Sequence, residues 1–424
     1  MEISITDISE VEKKITVQAS ATELVPHFEK AYRKQVPKIE IKGFRKGKAP
    51  LDLIKKLYGE SIEYNSLDTV ASDVYREVIQ GRDIHPIGDP VLTDIDYKRG
   101  EALTFTIKYE VKPKIELSEY KGIAVQRMVH HVSDTETDDE ILRLRRANCT
   151  MTPVETATDD EHIVTADIQQ LDESSSPLIG KKTVDARLYL ADESVYQEIR
   201  SSLRNATVGM TPRVTVTLED NGKQQKDFVE ITVKKIEKVI LPEFNDEFVK
   251  KITKDKVPTV EEFRKQLHDD IDSYWRDRSE RKLVDELIGE IVRRHDFMVP
   301  ESISNSVLES LLEELKNRSP QKKYPDNFNE KDFREKNRGY SVFQAKWFLI
   351  SERILEAEKI ETTDADLEEL AEKDAPKVGI DKARLLTFYK SSSAVSDRIL
   401  SDKLMKFLKE QSRITEKVTD ESFG

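Results

Sequence analysis

Apolar and polar residues alternate strictly over 103–111: Leu103, Phe105, Ile107, Tyr109 and Val111 are separated by Thr104, Thr106, Lys108 and Glu110. A period of two puts the apolar set on one side of an extended chain and predicts a half-buried strand. Upstream the period lengthens. Leu24, Phe28, Ala31 and Tyr32 recur on one helical face behind Ser20 and Glu23, which have capping-box spacing, so a helix is predicted over about 21–36, with Pro37 helping to end it. Pro50 suits the first turn of a second helix with Leu51, Ile54, Leu57 and Tyr58 inward, and Gly59 is placed to close it in a left-handed conformation. A third helix near 64–80 carries Leu67, Val70, Val74 and Val78. These elements predict an α+β domain over 1–117.

The next part, 118–150, contains SDTETDDEILRLRRAN, an acidic helix start followed by a basic helix end, and reads as a connector. Over 151–240 the pattern becomes short strands at 163–168, 184–190, 214–218 and 228–233, with SSSPLIG and EDNGKQ as turns, a small β-rich domain. The rest, 241–424, is helical in pattern. Thr259 and Glu262 make another capping-box pair, and Phe263, Leu267, Ile271, Tyr274, Leu287 and Ile291 extend one stripe over roughly 38 residues, about 57 Å at the rise of an α-helix. Further helices are predicted at 307–315, 333–360, 363–373 and 381–409, the last with Leu385, Leu386, Phe388, Tyr389, Ile399, Leu404 and Phe407 available to one side. A helix that outruns a compact core, and stripes parted by broad charged faces, predict projecting arms and an elongated multidomain α+β protein.

Composition narrows the function. At 424 residues the chain exceeds one ordinary core, and 36% charged against 37% hydrophobic residues predicts helices with wide solvated faces. A net charge of −13 argues against a general nucleic-acid coat, although it leaves local patches open. Cys149 is the single cysteine, and MEISITDISEVEKK has no apolar core of signal-peptide length, so a reducing cytosol is expected. No run approaches a membrane span, so no membrane partner is expected. GxxxxGK[ST], HExxH, GxSxG and paired CxxC motifs do not occur, so neither a cofactor nor a metal is expected. His130 and His131 are adjacent without a third ligand at metal spacing and read as surface histidines.

One stretch departs from the overall sign. From Lys30 to Tyr58 ten Lys or Arg face only Glu40 and Asp52, a local charge of +8, and IKGFRKGKAP at 41–50 lies in its middle. Gly43 and Gly47 can take backbone conformations closed to other residues and so present Phe44, Arg45 and Lys46 at a tip. From spacing alone two readings stand. Either this is an ordinary solvated helix connection with Phe44 tucked into the core, or it is a docking tip for an anionic surface such as RNA with an acidic protein face.

Gly43, Phe44, Arg45, Gly47, Lys48 and Pro50 match the GFRxGxxP signature of the trigger factor family of bacterial chaperones, which the sequence resembles over nearly its whole length. LPEFNDEFVKKI, FMVPESISNSVLESLLEEL and FREKNRGYSVFQAKWFLISERILEAEKI are similar to that family's helical body. The resemblance implies a docking domain, an inserted FKBP-like prolyl-isomerase domain and a helical chaperone domain with arms. It implies docking by Gly43, Phe44, Arg45, Lys46, Gly47, Lys48 and Pro50 beside the ribosomal exit tunnel, and a cradle for nascent and unfolded polypeptides. A weak homodimer off the ribosome belongs to the same expectation.

The middle domain departs from the family. Between 151 and 240 only Tyr189, Tyr196 and Phe228 are aromatic, whereas an FKBP-like pocket is aromatic-rich. In place of an IPGFE-like stretch the chain reads SVYQEIRSSLRNATVGMTPRV, keeping Leu203, Gly209 and Met210 of the pattern. A degenerate FKBP-like domain with weak or absent isomerase activity is expected, Tyr189, Tyr196 and Phe228 being the remnant pocket. The rival readings are a prolyl isomerase whose helices only recruit substrate and an RNA-binding scaffold. The leading reading is an ATP-independent chaperone, because a general binder of unfolded chains needs distributed apolar contacts and release without chemical energy.

Overall fold

The computed structural model describes residues 1–419 other than 43, 46, 83, 221, 222 and 326, with the side chains of 218–225 also left out. Two compact units divide the chain, Met1–Arg127 with Arg281–Thr415, and Met128–Glu280 with the segment from Glu416.

The amino-terminal part of the first unit is a four-stranded antiparallel sheet and two helices: β1 (Glu2–Asp7), β2 (Glu12–Ser20), α1 (Ala21–Gln35), α2 (Leu51–Gln80), β3 (Ile87–Lys98) and β4 (Ala102–Glu110), with sheet order β1-β2-β4-β3. The alternation that predicts β4 is realised residue by residue. Leu103, Phe105, Ile107 and Tyr109 are buried and pack with Ile15 and Val17 of β2 against Leu24 and Phe28 of α1 and Val70 and Val74 of α2. Ser20 and Glu23 form the predicted capping box. The two helices expected over 51–80 are one. Gly59 lies inside α2, buried, where a Cβ would stand 2.8 Å from Nη2 of Arg99 and 3.4 Å from the Tyr32 hydroxyl. The glycine serves a close approach, and its propensity cost of about 1 kcal/mol is too small to end a helix whose face is buried.

In the middle of the chain come β5 (Ala124–Val129), α3 (Asp134–Ala147), β6 (Thr150–Val154), β7 (His162–Leu171), β8 (Pro177–Tyr189), α4 (Gln197–Leu203), β9 (Arg213–Asp220) and β10 (Lys223–Ile240). Strands β6, β10, β7 and β8 neighbour one another in that order, and β9 pairs with β10. SSSPLIG is only partly a turn, since β8 already begins at Pro177. A short α5 (Asp246–Thr253) precedes the long α6 (Val260–Arg293). The single stripe expected along α6 is two. Phe263 packs with Val249 and Val257, whereas Leu283, Leu287 and Ile291 belong to a different core, and Tyr274 between them is 53% exposed.

The carboxy-terminal helices of the first unit are α7 (Glu301–Arg318), α8 (Glu330–Glu358), α9 (Asp364–Val378), α10 (Lys382–Ser391) and α11 (Ser393–Glu410), followed by β11 (Arg413–Val418), which pairs with β5. The helix expected over 381–409 breaks at Ser392, which ends α10 and starts α11 with extended backbone. The Ser391 hydroxyl donates to the Phe388 carbonyl there (2.9 Å), and Phe388 stays exposed instead of joining one buried side. Leu283, Leu287, Ile350, Ile354, Leu404 and Leu408 form the core of this part.

Candidate functional site

The cationic loop is anchored at both feet. Ile39 and Ile41 pack onto the amino-terminal core, and Ala49 is buried in it. Between these points the chain folds back on itself through Phe44 N to Ile41 O (3.0 Å), Lys48 N to Arg45 O (2.9 Å) and Gly47 N to Ile39 O (3.3 Å). Gly47 takes φ +76°, and a Cβ there would lie 3.1 Å from Cα of Pro37. Pro50 supplies the carbonyl that receives the Leu53 and Ile54 amides and so starts α2. Phe44 is 42% exposed, which rules out the tucked-in reading. Arg45, Lys48 and Pro50 are exposed beside it, while Gly43 and Lys46 fall outside the described residues.

Charge pairing sorts the basic residues. Lys30 is held by Asp73 (2.8 Å), while Lys55 (3.4 Å) and Arg33 (3.9 Å) share Glu29. Lys34, Lys38, Lys42, Arg45, Lys48 and Lys56 are exposed, and among the described residues no ion pair neutralises them. Uncompensated cations around an exposed ring can neutralise phosphates or carboxylates and add an apolar contact.

Within the same domain, buried Glu63 ties α2 to α1 and β3. Its carboxylate accepts hydrogen bonds from the Tyr32 hydroxyl, the Tyr97 hydroxyl (2.7 Å) and Nε of Arg99 (2.9 Å). Burial, and then the bond to Glu63, pushes both phenols well above the usual tyrosine range. Nothing in the sequence pairs these residues, since 31 and 34 positions separate Glu63 from its two tyrosines.

In the middle module the three candidate aromatics are apart. The Tyr189 hydroxyl donates to Glu161 and its ring lies 5.3 Å from the Arg146 guanidinium. Tyr196 precedes α4 and is 50% exposed. Phe228 stands opposite Leu171 and Thr215, on the face of β10 away from Val229, Ile231 and Val233, which enter the core. No ring contact joins the three among the described residues. The space between α4 and the sheet is filled by aliphatic side chains, Ile199, Leu203, Val214, Val216, Ile231 and Ile236. Leu203 is thus core, and Met210 is exposed.

His130 is not a surface histidine. Its side chain is 5% exposed, lies tilted against Trp275 with ring centres 4.6 Å apart and meets Glu136 at 2.9 Å, whereas His131 is exposed. Glu136 already belongs to the capping box that starts α3, so both groups have structural duties.

A second candidate surface is an open groove of about 1020 Å³ between α7, α8 and α11, lined by Val307, Leu311, Tyr340, Phe348, Leu400 and Leu404 among others. Tyr340 and Phe348 are about half exposed. The sequence does carry a signal for it. Trp347 and Phe348 are adjacent on one helix, so both cannot face the same core, and Trp347 packs against the core while Phe348 is exposed.

Two family profiles match the chain, "Bacterial trigger factor protein (TF)" over residues 1–144 and "Bacterial trigger factor protein (TF) C-terminus" over 259–410. The chain is 28% identical to the trigger factor of Salinibacter ruber, with 99% of this chain and 96% of that protein covered. It is 29% identical to the trigger factor of Chloroherpeton thalassium, covering 98% and 97%. A solved structure described as "Promiscuous Substrate Recognition in Folding and Assembly Activities of the Trigger Factor Chaperone" aligns over 97% of this chain and all of that one, with a TM-score of 0.50 and 19% identity, a likeness of fold.

Proposed function

The chain belongs to the trigger factor family, and from that premise we propose that it is an ATP-independent chaperone that docks at the ribosomal exit tunnel and holds nascent, unfolded polypeptides. The observation that supports docking most directly is the loop: a half-exposed Phe44 on a glycine-turned tip, beside exposed cations that no carboxylate neutralises among the described residues. The groove between α7, α8 and α11 supplies the client surface, and the structural neighbour's promiscuous substrate recognition fits its mixture of aromatic, aliphatic and serine side chains. Holding by many weak contacts needs no nucleotide and lets the client leave to fold.

In this reading 1–117 is the docking domain, 118–150 the connector, 151–240 a degenerate FKBP-like module and 241–424 the chaperone body with its arms. The protein works in the cytoplasm without a membrane partner, and forms at most a weak homodimer off the ribosome. Among the described residues no helix is long and apolar enough to cross a membrane.

The test removes the tip. Phe44→Ala with Arg45→Ala and Lys46→Ala should lower co-sedimentation with ribosomes at least tenfold, each side chain contributing about 1–3 kcal/mol as interface anchors do. Far-UV circular dichroism should not change, because Phe44 and Arg45 are exposed. Full ribosome binding by the folded triple variant would overturn the assignment of this loop.

A further inference from the structure

Helix α7 begins without a local cap. Pro300 occupies the N-cap position and offers no side-chain acceptor, yet the first N–H groups of a helix need partners. They find them on a strand nearly two hundred residues away. Glu110, the last residue of β4, places Oε1 2.9 Å from the Glu301 amide and Oε2 2.9 Å from the Ser302 amide. Two carboxylate oxygens thus receive two neighbouring N–H groups at the positive end of the helix dipole.

Two more contacts belong to the same joint. Gly88 of β3, at φ +66°, comes so close that a Cβ would lie 2.5 Å from Cβ of Ser302. Lys112, two residues beyond Glu110, donates to both carboxylate oxygens of Glu352 on α8, at 2.7 and 2.8 Å. Glu110 itself is fixed in the sheet by pairing with Glu12 of β2 and Ile87 of β3. Among the described residues, the amino-terminal core and the core of the carboxy-terminal helices share none. Helix α7 packs along α8, so what these contacts at one sheet end can set is how its start, and with it the α7–α8 pair, is held against the amino-terminal module.

We infer that Glu110 is a positioning residue: its carboxylate fixes the start of α7 to the docking module, so that the docking loop and the groove-forming helices α7 and α8 keep one orientation. The inferred geometry stands on its own, and its consequence for client holding rests on the function proposed above. A carboxylate in this role acts at a pivot, so its loss loosens an angle without emptying either core.

The experiment measures that angle in the full chain. Spin labels are attached to Ser4→Cys in β1 and Asn317→Cys in α7 on a Cys149→Ser background, and the distance distribution is recorded by double electron–electron resonance. One narrow distribution is expected for the parent, at least twice the width for Glu110→Ala, and an intermediate width for Glu110→Gln, which keeps one oxygen acceptor. Gly88→Ala should displace the centre of the distribution, and adding Ser302→Gly should move it back by removing the clashing Cβ. Should Glu110→Ala not fold, Lys112→Ala reports on the same joint and should also broaden the distribution. Unchanged width in folded Glu110→Ala together with an unchanged centre in Gly88→Ala would overturn the inference. A functional readout separates positioning from general stability: Glu110→Ala should co-sediment with ribosomes like the parent while retaining unfolded client on them several-fold less well. Failure of the parent to bind ribosomes would count against the docking function and leave the distance result intact.

Discussion

Gly47 and Gly59 lie twelve positions apart and use the same missing Cβ in opposite ways. Gly47 sits at φ +76° against the backbone of Pro37, and Gly59 lies within α2 against the Arg99 side chain. Sequence alone shows two glycines beside apolar stripes. Which one turns the chain is decided by neighbours brought in from α1 and from the β3–β4 turn, so the intact motif was legible while the helix closure assigned to Gly59 was not. Gly47→Ala adds a left-handed alanine, at about 1–2 kcal/mol, and a contact with backbone that cannot move cheaply. The expected outcome is a loss of about 1–2 kcal/mol in urea unfolding of the amino-terminal module and, on the proposed function, a several-fold weaker association with ribosomes. Gly59→Ala is the contrast. There the obstructing atom is the end of a flexible side chain, and alanine gains helix propensity, so ribosome association should change less than twofold.

Among elements, those with their own start signals were the legible ones. The capping box at Ser20 and Glu23 and the helix expected from Thr363 both appear, the second with Thr363 capping α9 and Asp366 reciprocating. The strands β5 and β11 were not foreseen, because each is six residues long and completes its hydrogen bonds only with a partner almost three hundred positions away. The α9 start also makes a pH prediction. Lys403 of α11 bonds Asp366, and this bond, followed by the Thr363 amide, holds the Asp366 carboxyl down at about 2. A carboxyl lowered on folding contributes stability that is complete above the ordinary aspartate range and is lost as pH falls through the folded value. Amide hydrogen exchange in α9 should therefore stay slow from neutral pH to about pH 4 and then accelerate, relative to intrinsic rates, towards about pH 2. Lys403→Met should lower the protection of α9 at neutral pH and shrink its acid-dependent loss, leaving the onset near pH 4 where the unfolded carboxyl sets it. Equal relative protection at both ends of the range in the unaltered protein would show that this pair does not hold α9.

At the scale of the whole molecule, the middle module is where family expectation and this chain's residues part. Rotation about an Xaa-Pro bond faces about 18–20 kcal/mol, and a pocket that lowers it needs open, apolar, aromatic space. Here Ile199, Leu203, Val214 and Ile231 close the space between α4 and the sheet, and Tyr189 is committed to Glu161 and Arg146. Cis-to-trans conversion of a short Xaa-Pro peptide should proceed at close to the uncatalysed rate. Robust catalysis that disappears with Tyr189→Ala and Phe228→Ala would reverse this reading. The way the module joins the chain makes it separable from client holding. β6 and β10 are antiparallel, with Thr150 paired to Ile240, so the chain enters and leaves the module at neighbouring strand ends, about 5 Å apart. A short glycine–serine link replacing 151–240 spans that gap without dragging on α3 or α5. At the border, Arg146 gives up its ion pair with Glu161 and its place over Tyr189, whereas Arg145 keeps its bond to the Pro242 carbonyl. Leu144, Val249 and Phe263 keep their shared core, and among the described residues none of the deleted segment lines the α7–α8–α11 groove. The deletion variant should suppress aggregation of an unfolded client within about twofold of the full chain, since burial of client apolar surface in the groove is unchanged. Complete loss of suppression, in a variant whose helical circular dichroism is intact, would place client holding in the middle module instead.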